Sequence, residues 1–287
     1  MFTSSIVCAG LFRCAPDDPL FAGGTPCSSY CIVFPREAAW IQHEGGPRFV
    51  ADASLATLYN QGQVYHRWSI DNRPDRCDWL AFPGSIVRQA VHSRSVEDAG
   101  HERQPLRFGS APIAGGLYAA QRRFFSRLEC RAATDALAIE EEALRLLDEV
   151  VACAYASQGI RTGAQQRSPR AADAVEVARL TIARDPAARI PLSTLASLTG
   201  LSPFHLCREF RRQTGTTITA YRTTLRLRAS LEPVAAGQDL TAVALGLGFT
   251  SHSHFTHAFR RAFGAVPSKV RGKARPDRLV RSTSKRS

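Results

Sequence analysis

Between residues 27 and 82 short apolar stretches alternate with turn signals. The stretches are Tyr30–Phe34, Ala39–His43, Phe49-Val50, Ala56–Tyr59, Val64–Ile70 and Cys77–Phe82, and the breaks are Pro35-Arg36-Glu37, Gly45-Gly46-Pro47, Gln61-Gly62 and Asn72–Asp75. Runs of this length and spacing predict a β-sandwich or small barrel. Residues 84–114 predict a short helix (Ser85–Val91), a polar loop and an extended return. From Leu117 to Ala156 the period becomes that of helices. Two amphipathic segments result, Tyr118–Arg131 and Asp135–Ala156. The second carries Leu137, Leu144, Leu147, Val151 and Ala154 on one side, against Glu140, Glu141, Glu142 and Asp148 on others. The pattern leaves open whether this pair covers the sheet or forms a dimer surface. Residues 159–170, rich in Arg, Gln, Ser and Gly, read as a linker.

The C-terminal part contains a repeat. Leu195–Gly200 through Phe210-Arg211-Arg212 and Gly215 recurs as Val243–Gly248 through Phe259-Arg260-Arg261 and Gly264. The offset is 48 in the first half and 49 in the second, so the extra residue falls in the turn. An entry helix, Ala171–Arg184, precedes the repeat, with Val175, Ala178, Leu180 and Ile182 toward a small core, and stops at Asp185-Pro186. The next helix, begun by Pro191-Leu192-Ser193, ends at Gly200, a residue type that tolerates the left-handed backbone of a sharp exit. Ser202-Pro203 restarts the chain with a cap oxygen and a first-turn proline. This is helix, tight turn, helix. Leu206 and Phe210 share one face and turn inward, leaving Phe204, Cys207, Arg208 and Arg211 for solvent or a ligand. A joining helix, residues 217 to about 235, places Tyr221, Leu225, Leu227 and Ala229 inward and Arg222, Arg226 and Arg228 among its polar positions. It is expected to fix the distance between the two units. In the second unit Phe255 and Phe259 are the buried pair, and His252, Ser253, His254, Thr256 and His257 lie at the exposed surface, followed by Arg260 and Arg261.

Two such units in tandem suit double-stranded DNA, and charge sharpens that expectation. The chain has 287 residues and a net charge of +12. Residues 171–287 hold 19 Lys and Arg against 7 Asp and Glu, whereas residues 1–170 hold 18 of each. The entire excess lies on the repeat-bearing part, where it favours salt-dependent attraction to phosphates. Arginine forks suit guanine edges and phosphates, so Arg208 is the expected base reader, with Arg211 or Arg212 on the backbone. The first unit presents arginines and the second histidines and hydroxyls, from which the first is expected to carry more of the specificity.

No run of about 18 apolar residues would span a bilayer, and Met1–Ser5 lacks a secretory start, so no membrane association and a cytoplasmic location are expected. Eight cysteines are scattered through a chain large enough to fold without staples, and reduced thiols are expected. His43, His66 and His92 lack the compact spacing of a metal-binding barrel enzyme, so no catalytic residues, metal or cofactor are expected. Alternatives are a thiol, metal or alkylation sensor built on Cys8, Cys14 and the Cys27-x3-Cys31 pair, or a cupin-type metalloenzyme fused to a DNA-binding domain.

The runs Leu206–Phe210, Tyr221 with Arg226–Ala229, Ala244–Phe249, Ser253-His254-Phe255, Phe259–Gly264 and Pro267-Ser268 closely resemble the AraC-type (AraC/XylS) transcription regulators. The resemblance covers about residues 172–272. It implies a seven-helix DNA-binding domain whose two recognition helices enter successive major grooves. Base and backbone contacts would fall on Phe204, Cys207, Arg208 and Arg211, then on His252, Ser253, His254, Thr256 and His257. It further implies RNA polymerase as a partner and activation over repression. Departures are His257 in place of a frequent arginine, Pro233 in the joining helix, where it should end or kink that helix early, and Val270 in place of a frequent tyrosine. The N-terminal part resembles, in pattern and order, the cupin-like sensor domains that precede such domains. An unidentified small effector would then bind inside the barrel, with Trp40, His43, Tyr65, His66 and Trp68 as expected lining residues.

The resulting expectation is an α+β chain without enzymatic activity: a cupin-like sensor domain at residues 1–115, a helical pair at 116–158 that could form a homodimer, a linker at 159–171, a tandem helix-turn-helix domain at 172–272 and a basic tail at 273–287.

Overall fold

Alternation along the N-terminal half is realised as paired strands. The structure, a computed structural model, describes residues 1–16, 18, 24–130, 135–160 and 169–270; the expected tail at 273–287 and most of the expected linker lie outside them. One antiparallel sheet contains β1 (Phe2–Thr3), β2 (Cys8–Cys14), β4 (Tyr30–Pro35), β7 (Leu55–Tyr59), β9 (Asp75–Phe82) and β10 (Ser110–Pro112), in the order β1-β2-β9-β4-β7-β10. The other contains β3 (Thr25–Pro26), β5 (Ala39–His43), β6 (Arg48–Ala51) and β8 (Val64–Ser69), in the order β3-β8-β5-β6. The expected runs between 27 and 82 are thus β4 to β9. Strand β2 has no counterpart among them, yet it pairs with β9 over its full length, from Cys8 opposite Ala81 to Cys14 opposite Asp75. Gly10 masks it as a strand and is required in it: a Cβ there would stand 2.6 Å from the Trp79 ring on β9.

The central strands β4, β7 and β9 of the larger sheet are buried on both faces. Ile32, Phe34, Leu58 and Leu80 are almost fully buried on one side, while Cys31, Val33, Cys77 and Trp79 line an inter-sheet cavity on the other. Helices α1 (Gly84–His92), α2 (Val96–Gly100), α3 (Gly115–Glu129) and α4 (Ala136–Ser157) accompany the sheets. Asp78 on β9 is fully buried and receives Arg36 at 2.8 Å and Arg122 of α3 at 2.6 Å, tying α3 to the sheet.

Helix α4 is buried on nearly all sides, with Leu144 and Leu147 at 2% and 0% exposure. Of the two readings left open for this pair, the Leu144/Leu147 stripe is core within this chain, and one expectation is corrected: Glu140 and Glu141, expected on polar faces, are buried.

Helices α5 (Pro169–Arg184), α6 (Leu192–Thr199), α7 (Pro203–Thr214), α8 (Ile218–Ala229), α9 (Leu231–Ala235), α10 (Leu240–Gly246), α11 (His252–Phe263) and α12 (Pro267–Val270) complete the described chain. The joining helix breaks after Ala229. Pro233 has no N–H for the carbonyl of Ala229, four residues back, and its ring crowds that carbonyl; the chain resumes as α9 behind Ser230. In α5, Ala174, Val175, Ala178 and Ile182 are buried, but Leu180, expected inward, is 52% exposed because it lies off that stripe. Compactness divides the chain into two units: Met1–Leu180 with Ile190–Thr219, and Thr181–Arg189 with the chain from Ala220 onward. The first helix-turn-helix (α6–α7) therefore belongs to the unit that holds the sheets, and the second (α10–α11) to the other.

Candidate nucleic-acid interface

Helix α7 forms as its sequence dictates. Ser202 caps it by accepting the His205 N–H, Pro203 occupies its first turn, and Gly215 closes it with φ +72°. Leu206 and Phe210 are fully buried, as expected. The groove-facing side is covered as well. Within its unit α7 packs on α1 and α4, and Phe204 is only 2% exposed. The Cys207 thiol is pushed well above its usual range by burial, and by the carboxylates of Glu141 and Glu140. His205 is half-buried and pushed down by burial, by Arg208 and by His92 at the end of α1. Arg208 is half-buried, whereas Arg211 and Arg212 are exposed, Arg212 pairing with Glu209 at 2.5 Å.

Glu140 and Glu141 have a definite task at this contact. Helix α6 begins at Pro191, which offers no side-chain cap, and the buried Glu140 carboxylate stands beside the Leu192 amide. Glu141 accepts the amides of Ile218 at 2.7 Å and Thr219 at 2.8 Å, the open donors of the first turn of α8, and also the Thr219 hydroxyl. Glu141 thus satisfies the N-terminus of α8 and the adjacent Glu140 stands at that of α6, where amide donors and the helix dipole favour negative charge.

The second unit caps itself. Asp239 accepts from the Ala242 amide at the start of α10, Ser251 from the His254 amide at the start of α11, and Gly264 closes α11 with φ +72°. Phe255 and Phe259 are fully buried in a core with Val234, Val243, Ala244 and Phe249, and Val270 packs against that core. His252, Ser253, His254, His257, Arg260 and Arg261 are exposed, and Thr256 is half-exposed. His254 Nδ1 lies 3.1 Å from the Thr250 hydroxyl and His252 Nε2 lies 3.4 Å from that of Thr256.

Arg226, expected among polar positions, is buried. Its guanidinium donates to the carbonyls of Pro186 (2.5 Å), Gly248 (2.8 Å) and Ala187 (3.2 Å). Arg222 is buried too, whereas Ala229, expected inward, is exposed. Both arginines are buried, and the carbonyl partners of Arg226 lie too far along the chain for periodicity to reveal.

The inter-sheet cavity measures about 140 Å³. Of the expected effector-lining residues Tyr65 faces it. Strand alternation puts Ala39, Ile41, Tyr65 and Arg67 on the inner face and so turns Trp40, His66 and Trp68 outward, where the Arg48 guanidinium lies 4.4 Å from the Trp40 ring and 4.7 Å from that of Trp68. His43 is buried between Phe49 and Tyr59, both ring nitrogens engaged by Gln63 and the Gly109 carbonyl. Residues not anticipated for the lining include Phe12, Tyr59, Cys77, Trp79 and the Arg67–Asp75 ion pair at 2.8 Å. The period-2 rule applied from Tyr65 would have found Arg67. Among the described residues no cluster of three or more His, Cys, Asp or Glu side chains could hold a metal ion, and no helix is long and apolar enough to cross a membrane.

The family model described as a helix-turn-helix domain matches residues 195–273. The probable transcription factor PqrA of Proteus vulgaris is 34% identical over 86 residues, which covers 29% of this chain and 68% of PqrA. The HTH-type transcriptional regulator GlxA of Rhizobium meliloti is 34% identical over 80 residues, 28% of this chain and 25% of that protein. This chain therefore matches only about a quarter of the length of GlxA. Among solved structures, a probable AraC family transcriptional regulator from Rhodopseudomonas palustris is 30% identical, with 36% of this chain and 98% of that chain covered and a TM-score of 0.34.

Proposed function

The chain belongs to the AraC family of transcription regulators, and from that premise we propose that it is a sequence-specific DNA-binding regulator, an activator, whose N-terminal domain controls how its reading helices meet DNA. The single observation that supports the control is the cap arrangement. Glu141 of α4 caps the start of α8 and Glu140 stands at the start of α6, while α1 and α4 cover the groove-facing side of α7. A signal that moves α4 withdraws the caps and uncovers Phe204, Cys207 and Arg208 together. In the uncovered state Arg208 reads a base edge and Arg211 and Arg212 clamp phosphates, while His252, Ser253, His254, Thr256 and His257 read the second site and Arg260 and Arg261 flank it. Double-stranded DNA is the partner, with RNA polymerase downstream and a small effector upstream; no enzymatic step is assigned, and the protein works in the cytoplasm.

The test is binding of the full chain to a pool of random duplexes, followed by sequencing of the retained DNA. An enriched sequence at moderate salt is the expected result; retention without enrichment would reduce the charge excess to a non-specific polyanion surface.

A further inference from the structure

Three cysteines, Cys27, Cys31 and Cys77, face the cavity between the sheets. Cys27 lies on the turn between β3 and β4, pinned by its amide to the Gln63 carbonyl and by its carbonyl to the Gly62 amide. Cys31 is fixed in β4 by its register opposite Tyr59 and Ala81. The turn sets the half-buried Cys27 and the buried Cys31 on one wall of the cavity, where the Cys27 thiol donates to the Ser29 carbonyl at 3.0 Å and the Cys31 thiol to the Ile32 carbonyl at 3.8 Å. The neighbouring Cys31 thiol draws Cys27 down to about 7 against the opposing effect of burial, while Cys31 is held well above its usual range by Cys27 and by burial. Cys77 is pushed up by burial. The cavity therefore carries one thiol that ionises near neutral pH, with a protonated second thiol on the same wall. The remaining wall is largely apolar and aromatic, from Phe12, Ile41, Tyr59, Tyr65 and Trp79.

We propose that Cys27 and Cys31 form an oxidation site that takes a small hydroperoxide, and that closure of a disulfide between them is the signal of the N-terminal domain. This rests on the regulator reading above and names its effector class. The Cys27 thiolate attacks one peroxide oxygen; the O–O bond breaks, an S–O bond forms, and the departing alkoxide takes a proton to leave as an alcohol. Cys31 then attacks the Cys27 sulfur of the sulfenic acid. The S–S bond forms, the S–O bond breaks, and hydroxide leaves with the Cys31 proton as water. Two thiols are oxidised by two electrons, and one hydroperoxide is reduced to an alcohol and water. Hydrogen peroxide gives the same product with water in place of the alcohol. The apolar wall favours the alkyl form.

The experiment uses the reduced full-length chain, treated in separate arms with tert-butyl hydroperoxide and hydrogen peroxide, then mapped by mass spectrometry with free thiols counted. Expected is the loss of two thiols per chain in one Cys27–Cys31 disulfide, reversed by dithiothreitol and formed faster with the alkyl hydroperoxide. In Cys31→Ser the reaction stops at a sulfenic acid on Cys27, trapped by dimedone. Reduced and oxidised chains are then compared on a duplex selected from the random pool, where a five- to 150-fold change in affinity is expected, the ordinary span of coupling between two sites. A different cysteine pair, no disulfide in either arm, or a disulfide that leaves DNA affinity unchanged overturns the proposal. If no duplex is selected in either redox state, the regulator reading fails, and the thiol map still reports whether the pair oxidises.

Discussion

Cys207 occupies a position expected to face a DNA groove, yet its thiol is buried beside Glu140 and Glu141 and pushed well above its usual range. A thiol held up in this way stays protonated and unreactive at neutral pH, which makes it a reporter of whether α7 is covered. In Glu141→Ala, the loss of capping hydrogen bonds worth about 1–2 kcal/mol should raise the open population, and with it the rate of Cys207 alkylation, about five- to thirtyfold. An unchanged rate would separate the cap from the covering of α7. Cys27 should behave oppositely. Its lowered value, about 7, means that thiolate is present above that pH and lost below it, so its alkylation rate should rise with a midpoint near pH 7. Cys31→Ala removes the neighbouring thiol and should move the midpoint upward; a midpoint near the ordinary thiol value in the unaltered chain would contradict the influence of Cys31 on Cys27. Arg226 shows what residue-level reading of sequence misses. Its partners are the carbonyls of Pro186, Ala187 and Gly248, and a Cβ on Gly248 would sit 2.5 Å from the Ala187 oxygen. Arg226→Ala should cost about 2–3 kcal/mol of stability in urea unfolding, because buried carbonyls lose a charged donor.

Among elements, the two helix-turn-helix units share a pattern in sequence and differ in how they begin. Asp239 starts α10 from its own segment, whereas α6 begins behind Pro191 with no side-chain cap and with Glu140 of α4 beside its first amide. Asp239→Ala should therefore cost about 1 kcal/mol and leave Cys207 protected, and hydrogen exchange at Ala242 and at Leu192 would show which start has loosened. Faster exchange at Leu192 in that variant would contradict the division. Strands β4 to β9, the helical pair and both helix-turn-helix units were legible in the sequence because each repeats a period of two or 3.6 between strong breakers. Strand β2 was not legible, because Gly10 serves Trp79 packing and lowers the local strand signal. Helix α2 was missed because five residues, Val96–Gly100, do not establish a period. The outward turn of Trp40, His66 and Trp68 was within reach of strict alternation; the attraction of aromatic rings for a ligand obscured it. The roles of Glu140 and Glu141 were illegible, since two acidic residues on a helix ordinarily face water and their partners lie about 50 and 77 positions away.

For the whole molecule, the charge excess on residues 171–287 supplies attraction to DNA, and the difference between the units sets what is read. Sequence alone favoured the first unit as the main reader because it carries the arginines. In the structure that unit's groove-facing side is covered, while the second unit's His252, Ser253, His254 and His257 are exposed. Arg208→Ala should then change little in the resting chain and cost about 1–3 kcal/mol of specific binding once α7 is released, whereas Arg212→Ala should weaken binding evenly across sequences. The most direct test is selection from random duplexes by the full-length chain and by its Glu140→Ala/Glu141→Ala variant under the same salt. Both should enrich a defined sequence, the unaltered chain one block matching the second unit, and the variant a further block about one helical turn away, roughly 10 base pairs, that disappears on adding Arg208→Ala. Enrichment of the same two blocks by both chains would contradict the covering of the first reader, and enrichment by neither would contradict the regulator itself.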